Sequence, residues 1–393
     1  MNNYFVNNTL YHLITINLEK MTFDAEDKLC WCSPKTGKIL KDVLAGHRLT
    51  KEEGIFLLNA KGRDVLAIAS AADLKREEKK GPYVTYVRNQ NLNFTNCCIN
   101  SCGFCSFCRK PGATDLFTLE RDEITAKVNL AKKREVTEIC SVGGLHPDFD
   151  ADSYISILSL IKKTAPDIHI HAHNPMEVWY GAEKSKISTI EMLTRMRKAG
   201  LGSMCGTAAE ILVDDIRKKI CPGKIDTQTW ERIIREAHSL GIKTTATIMY
   251  GHTESPCDVI EHLDILRNIQ DDTGGFLEFV PLSFVHKNTP IYMAGKARAG
   301  ATGREDILMT AVSRLYLDNF DNIQVSWVKT GRKLAQVLLM SGGNDLGGTM
   351  YEESISKEAG ASDTEYLSPT DMERIVKDCG RKLVQRTTLY EST

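Results

Sequence analysis

No stretch of this chain reaches the ~20 consecutive apolar residues that cross a bilayer, so a membrane-spanning helix is not expected. Neither sign of charge is in surplus: 50 Lys and Arg stand against 51 Asp and Glu, a formal net charge of −1. That balance argues against a basic face for nucleic acid or anionic membrane. There is no fixed-period repeat and no low-complexity linker, which argues against a solenoid or a string of tethered modules. The opening MNNYFVNNTLYHL is polar and broken and lacks the apolar core of a secretory leader. A cytoplasmic, reducing setting is therefore expected, and disulfides are not.

What is present is an ordinary globular composition, 42% hydrophobic and 26% charged, which suffices for a sizeable core. Against that background one feature stands out. Of twelve cysteines in the chain, five fall at 97, 98, 102, 105 and 108. Clustered thiols in a reducing compartment bind metal or do redox chemistry more often than they crosslink.

The chain divides into an extension at 1–82, a body at 83–365 and a tail at 366–393. Residues 1–33 are irregular. Residues 34–80 read as helices, with Thr50 placed to cap one that runs to Leu58. Short β-type runs follow at 83–95, 136–142, 168–173, 202–206, 243–250, 276–285, 322–328 and 346–350. Helical patterns separate most of them, at 119–134, 151–164, 187–199, 229–240, 257–270 and 304–318. Eight strands alternating with helices predict an α/β fold of (β/α)8 type, a TIM-like barrel with a helical extension before it and a helical tail, 369–379, after it. Such barrels work at the C-terminal ends of their strands. A motif carries weight here when it sits where a strand finishes.

The cysteines pass that test. Cys98, Cys102 and Cys105 have the spacing C-x3-C-x2-C and follow the strand pattern NLNFT. Three thiolates in a compact loop suit three irons of a cubane cluster and leave the fourth iron open. Two other metal readings exist. A zinc site would use C-x2-C knuckles, present at Cys102/Cys105 and Cys105/Cys108. A closed four-thiolate cluster would use Cys97 or Cys108 as the fourth ligand. Cys97 is expected to pack away from its neighbour Cys98. The cysteines at 30, 32, 140, 205, 221, 257 and 379 are expected to be small apolar core residues.

Other strand ends carry candidate groups. Gly143 and Gly144 permit close backbone approach to a ligand. His169, His171 and His173 alternate, so they are expected on one strand face, where a zinc hydrolase of the amidohydrolase type would place metal ligands. Asn174 and Glu177 follow on an expected loop. Glu210, expected to begin a helix, suits a ribose or substrate hydroxyl, or equally the positive end of that helix. His252, Glu254 and His286 end the fifth and sixth strands. Asn322, Gln324 and Ser326 alternate into an expected polar inner face, and Asn344 and Asp345 stand at the barrel's closure.

C-x3-C-x2-C with an aromatic residue, Phe104, before its third cysteine resembles the signature of radical S-adenosylmethionine (SAM) enzymes. The stretches YVRNQNLNFTNCCINSCGFCSF, VGGLHPD, IHIHAHNPMEV, GSMCGTAAEIL, TTATIMYGH, GGFLEFVPLSFVHKNTP, NIQVSWVK, GGNDLGGTMYEESISKEAGA and QRTTLYE occur in order from about residue 83 to the end. Together they resemble the tyrosine-dependent FO synthase family of deazaflavin (coenzyme F-420) biosynthesis. Two departures from the family pattern are Cys205, where proline is usual, and His173-Asn174, where Phe-Ser or a similar pair is common. The aminofutalosine and cyclic futalosine synthases of menaquinone biosynthesis share the cysteine loop and the YGH stretch. A non-catalytic iron–sulfur electron carrier is the reading from a different class.

The resemblance implies a [4Fe-4S] cluster on Cys98, Cys102 and Cys105, with SAM on the open iron. It implies cofactor contacts from Phe104, Gly143, Gly144 and Glu210. His171, Glu177 and His252 are expected to be catalytic; His169, Asn174, His286, Gln324 and Asn344 are expected to contact substrate. The implied reaction moves the 4-hydroxybenzyl group of L-tyrosine to 5-amino-6-(D-ribitylamino)uracil. Expected partners are a sister radical SAM subunit and an electron donor such as ferredoxin or flavodoxin; neither nucleic acid nor membrane is expected.

Overall fold

The computed structural model describes residues 32–362 and 366–391. The irregular lead-in expected at 1–33 lies almost entirely outside them. Three helices come first: α1 (Pro34–Leu44), α2 (Lys51–Leu58) and α3 (Arg63–Lys80). Thr50 does cap α2: its hydroxyl accepts from the Glu53 N–H while the Glu53 carboxylate accepts from the Thr50 N–H.

The body is a ring of parallel strands. Its first position is one extended segment broken into β1 (Tyr83–Val87) and β2 (Asn89–Asn91). Then come β3 (Glu138–Ser141), β4 (His169–Ala172), β5 (Ser203–Met204), β6 (Lys243–Tyr250) and β7 (Phe276–Ser283), hydrogen-bonded in the order β2-β3-β4-β5-β6-β7. The expected seventh strand at 322–328 shrinks to two isolated bridges, Phe279 to Ile323 and Gln324 to Asp345. Residues 327–330 turn instead into a short helix, with Trp327 buried and its indole N–H donating to the Gly348 carbonyl. β8 (Asp345–Gly348) pairs with β1, and a bridge from Gln90 to Tyr351 closes the ring.

Helices α4 (Arg121–Lys133), α5 (Ala151–Thr164), α6 (Pro175–Ser185), α7 (Thr189–Lys198), α8 (Asp214–Ile220), α9 (Thr227–Ser239), α10 (Pro256–Thr273), α11 (Pro290–Met293), α12 (Gly303–Tyr316), α13 (Trp327–Thr330) and α14 (Arg332–Leu339) follow their strands. α9 shows why they dock: Trp230, Ile233, Ile234 and Ala237, all buried, make one stripe at helical spacing. Such stripes meet Ile139, Ile170, Ala246, Ile248 and Phe279 of the barrel wall in a single apolar core. Each fully buried Leu, Ile or Phe stabilises this layer by roughly 2 kcal/mol.

The extension covers the outside. α3 lies along α12, and α2 lies against both α10 and α12. The tail departs from expectation. After α15 (Ile355–Glu358) and the expected helix α16 (Pro369–Lys377), it is not helical: β9 (Lys382–Gln385) pairs in parallel with β1. Residues beyond β9 then fill the barrel's lower end. Arg386, buried, bonds both oxygens of Asp345 and one of Glu278, Thr388 donates to Glu138, and the Tyr390 hydroxyl donates to Glu278.

Candidate active site

The loop from residue 92 to 118 leaves the first strand position and is pinned at many points. The Asn96 side chain bonds the Asp115 carbonyl and the Phe117 N–H. The Lys110 ammonium donates to the carbonyls of Cys98, Ile99 and Asn100 at 2.9, 2.9 and 2.7 Å. Ile99 N–H reaches Leu145 and Gly103 N–H reaches Ile220. The cysteine loop is thus held by its own turn, by the loop after β3 and by the end of α8.

Cys98, Cys102 and Cys105 all line one cavity of about 260 Å³ at the C-terminal ends of the strands. Cys97 is buried and does not line it, as expected of a packing residue. Cys108 does line it, and its thiol faces the carbonyls of Cys98 and Asn100. A hydrogen bond from the Cys108 thiol pulls the Cys98 pKa below the ordinary thiol value. Burial pushes the Cys102 thiol up to about 12 and raises Cys105 as well. Those two thiols are therefore protonated as they stand, and binding metal must displace their protons. Among the described residues, no three Cys, His, Asp or Glu side chains converge as ligands of one ion. Three thiolates on three corners of a cubane stand further apart than the ligands of a single zinc ion.

The Gly143–Gly144 turn lies against this loop. A Cβ at Gly144 would sit 2.1 Å from the Cys97 carbonyl oxygen, and one at Gly143 would sit 2.5 Å from the Phe94 ring. Only glycine lets the two loops touch. Gly143 N–H then donates to the Glu177 carboxylate at 3.4 Å.

Glu177 belongs to a helix rather than a loop. Asn174 caps α6, its side-chain oxygen accepting from the Met176 and Glu177 N–H groups at 3.0 and 3.1 Å. Pro175 at the first helical position and Asn174 before it are start signals that mark this helix in the sequence. Glu177 is 1% exposed; one carboxylate oxygen meets His173 Nδ1 at 3.1 Å and the other has no partner.

His173 is not on the shared strand face expected of it. Its φ is +56°, and its buried ring packs edge-on to Phe94 and Tyr154. The other two histidines lie below the cavity. His169 and His171 both hydrogen-bond the Ser203 hydroxyl, at 2.8 and 2.7 Å. Burial lowers the His171 pKa to about 4, so it stands there neutral. They make no metal pair.

Glu210 departs from expectation in a different way. It starts no helix; α8 begins four residues later, and Glu210 has a left-handed φ of +47°. Its carboxylate pairs with the Lys224 ammonium inside the cavity. Lys224 sits 5.3 Å from the Phe104 ring centroid; burial works to lower its pKa, yet the net shift is upward, led by the field of Glu210.

The remaining expected contacts lie outside this cavity. His252 turns back on its own loop, Nε2 to the Met249 carbonyl at 3.0 Å and Nδ1 near Glu254. His286 packs edge-on against Tyr292, with ring centroids 4.5 Å apart. Gln324 bonds Glu278, and Asn344 joins Arg314 to Asn322. Gln324 and Asn344 thus have their polar groups occupied in holding the barrel together. Cys257 is exposed on α10 rather than buried, and Cys205 and Cys221 are buried as expected.

Two cavity residues carry no motif that marks them. Lys224 follows α8 in a Cys-Pro-Gly turn. Lys329 lies in α13, and its ammonium bonds the Ser356 hydroxyl. A place just past an expected strand end is the only sequence signal Lys329 offers, and Lys224, beyond α8, offers none.

Residues 92–266 match the radical SAM superfamily, and residues 273–393 match the CofH/MqnC C-terminal region. The FeFe-hydrogenase maturase HydG from Carboxydothermus hydrogenoformans has the same fold, with a TM-score of 0.72 at 16% identity, over 91% of this chain and 80% of that one. Methylornithine synthase (PylB) gives 0.68 at 16% identity, over 88% and 97%. The 5-amino-6-(D-ribitylamino)uracil–L-tyrosine 4-hydroxyphenyl transferase of Methanoculleus marisnigri is 62% identical over 91% of this chain and 97% of its own length. That of Methanosphaerula palustris is 63% identical over 90% and 97%. With a radical SAM barrel, three thiols at its mouth and identity of this extent, the chain belongs to the radical SAM family of 5-amino-6-(D-ribitylamino)uracil–L-tyrosine 4-hydroxyphenyl transferases.

Proposed function

We propose that this chain transfers the 4-hydroxybenzyl group of L-tyrosine to 5-amino-6-(D-ribitylamino)uracil, breaking the tyrosine Cα–Cβ bond, as the first half of FO synthesis. The observation that carries this reading is the cavity itself. It joins the three thiols, the Gly-Gly turn and the Glu210–Lys224 pair to a largely apolar wall that includes Met176, Met249, Leu282, Phe284 and Ile355.

The residues fit the cofactors that the superfamily implies. Cys98, Cys102 and Cys105 would hold a [4Fe-4S] cluster, and Cys108 would stay a hydrogen-bond donor beside it. The Gly143–Gly144 turn, Glu177, Glu210, Lys224 and Phe104 would receive SAM, whose methionine moiety carries an ammonium, a carboxylate and a sulfonium beside an adenosyl group. When bound, cluster and SAM supply one-electron chemistry that removes a hydrogen atom from the substrate.

The chain supplies the rest. Lys224 offers a cation to a carboxylate and Glu177 a free carboxylate oxygen to an ammonium, charge-assisted contacts that fix orientation. The apolar wall keeps water and stray hydrogen donors from reactive carbon centres. We reassign His169, His171, Gln324 and Asn344 to holding the barrel, since each has its hydrogen bonds inside it. His252 and His286 would shape the rim.

The second half of FO synthesis needs another active site. The FO synthase of Mycobacterium leprae aligns with this chain over 43% of its length, so that protein has a further region this chain does not match. A sister radical SAM subunit would supply the equivalent, and a small redox protein the electron.

The test uses anaerobically reconstituted protein with reductant, SAM, ring-labelled tyrosine and the ribityl-diaminouracil. The expected result is 5′-deoxyadenosine together with a uracil product carrying the ring label. 5′-Deoxyadenosine without a labelled uracil product would reject these substrates.

A further inference from the structure

The cavity lining contains four carboxylate or ammonium side chains: Glu177, Glu210, Lys224 and Lys329. Glu210 and Lys224 neutralise each other on the wall that also holds Cys102 and Phe104. The other two have no countercharge of that kind. Glu177 keeps one buried oxygen with no partner. The Lys329 ammonium bonds the neutral Ser356 hydroxyl and, among the described residues, forms no ion pair. The two carboxylates whose fields reach Lys329 are engaged elsewhere: Glu353 directs both oxygens at the Ser356 N–H, at 2.9 and 3.2 Å, and Glu210 pairs with Lys224. Burial lowers the Lys329 pKa. An ammonium removed from water without an anion is costly, and the cost falls when an anion arrives.

The reaction read above brings two zwitterions into this space, the methionine moiety of SAM and the amino-acid substrate. Each has one α-ammonium and one α-carboxylate. Two acids and two lysines match that demand, one cation per carboxylate. Lys224 stands beside Cys102 and Phe104, where the cofactor belongs. Lys329 enters from the seventh barrel position, on a different wall. We propose that Lys329 receives the α-carboxylate of the amino-acid substrate and thereby selects an amino acid over the corresponding amine. This rests on the transferase reading and names the residue that would set its substrate class.

The test compares wild type, Lys329→Gln and Lys329→Arg, each reconstituted without oxygen and loaded with SAM in the absence of reductant. Tyrosine, tyramine (which lacks the carboxylate) and SAM are titrated by equilibrium dialysis. Cluster absorbance and thermal midpoint report folding. Lys329→Gln should weaken tyrosine roughly tenfold or more, leave tyramine and SAM unchanged, and recover part of the loss as Lys329→Arg. Wild-type affinity for tyrosine in Lys329→Gln overturns the assignment. So does an equal loss for tyramine, or a loss for SAM alone, which would give the carboxylate to the cofactor. Should Lys329→Gln not hold its cluster, Lys329→Arg decides: tyrosine weakened relative to tyramine with cluster and SAM binding intact supports the assignment, and tyrosine and tyramine affinities that change to the same extent, or not at all, overturn it. Wild type that binds no tyrosine refutes the transferase reading itself, a result distinct from failure at Lys329.

Discussion

The two ends of the barrel bury charge in opposite ways. At the lower end Arg386 meets Asp345 and Glu278, Tyr390 and Gln324 donate to Glu278, and Thr388 donates to Glu138. The chain supplies partners for its charges from its own tail. At the upper end Glu177 keeps an oxygen without a partner, Lys329 has only a hydroxyl, and burial keeps Cys102 and Cys105 protonated. Buried charge at the bottom closes the fold; at the top it is left for ligands. The Glu210–Lys224 pair is the exception at the upper end, a cavity charge already met by protein.

That contrast breaks most sharply at the thiols. Cys102→Ala should hold no [4Fe-4S] cluster and form no 5′-deoxyadenosine, while its thermal midpoint in the cluster-free state stays near wild type. Iron analysis and product assay would show this. Next in size is the lower end. Arg386→Met strips the buried Asp345 and Glu278 of their cation and should cost about 3–5 kcal/mol of stability, read by urea titration. Lys329→Met at the upper end should cost the cluster-free protein nothing measurable or stabilise it, because no protein anion loses a partner. Equal losses at the two positions would erase the distinction.

Smaller effects sharpen it. Lys224→Met should weaken SAM binding by about 1.5–3 kcal/mol, the worth of a hydrogen bond to a charged group, and leave cluster content unchanged.

The pH response has a definite sign. Burial lowers His171 to about 4 and His262 to about 3, from 6.5. The unfolded chain therefore binds more protons below pH 6.5, and stability falls as pH drops from 6.5 toward 4. Glu278, raised above 4.5 chiefly by burial, acts in the opposite sense, since its folded form holds a proton that the unfolded chain has released. Glu278→Gln should steepen the acid loss of thermal midpoint. A flatter profile would mean that Glu278 is ionised in its place among Arg386, Tyr390 and Asp345.

Much of this was legible in the chain, and the failures have physical causes. Strand and helix periods locate seven of the eight barrel positions as strands. The seventh, 322–328, has the alternation of a strand but folds as two bridges and a helical turn, because Trp327 is drawn inward to the Gly348 carbonyl. The cysteine spacing identifies the cavity, since a short loop keeps its thiols together wherever the barrel goes. Alternation misleads for the histidines. His169 and His171 obey it and end up inside the barrel, whereas His173 leaves the strand with a positive φ. Lys224 and Lys329 are invisible because single lysines carry no periodicity; only the fold brings them to the same space. The tail's helix is readable, but β9 is too short to stand out, and its place depends on β1 far away in the chain.

The central claim is that the upper end holds a three-thiolate cluster with one open iron. The most direct measurement is the electron paramagnetic resonance spectrum of the reduced, reconstituted protein with and without SAM, in wild type and in Cys108→Ser. A [4Fe-4S]⁺ signal that changes when SAM is added is expected in both proteins. A signal indifferent to SAM, or a cluster lost in Cys108→Ser, would mean a closed four-thiolate site and would contradict the central claim.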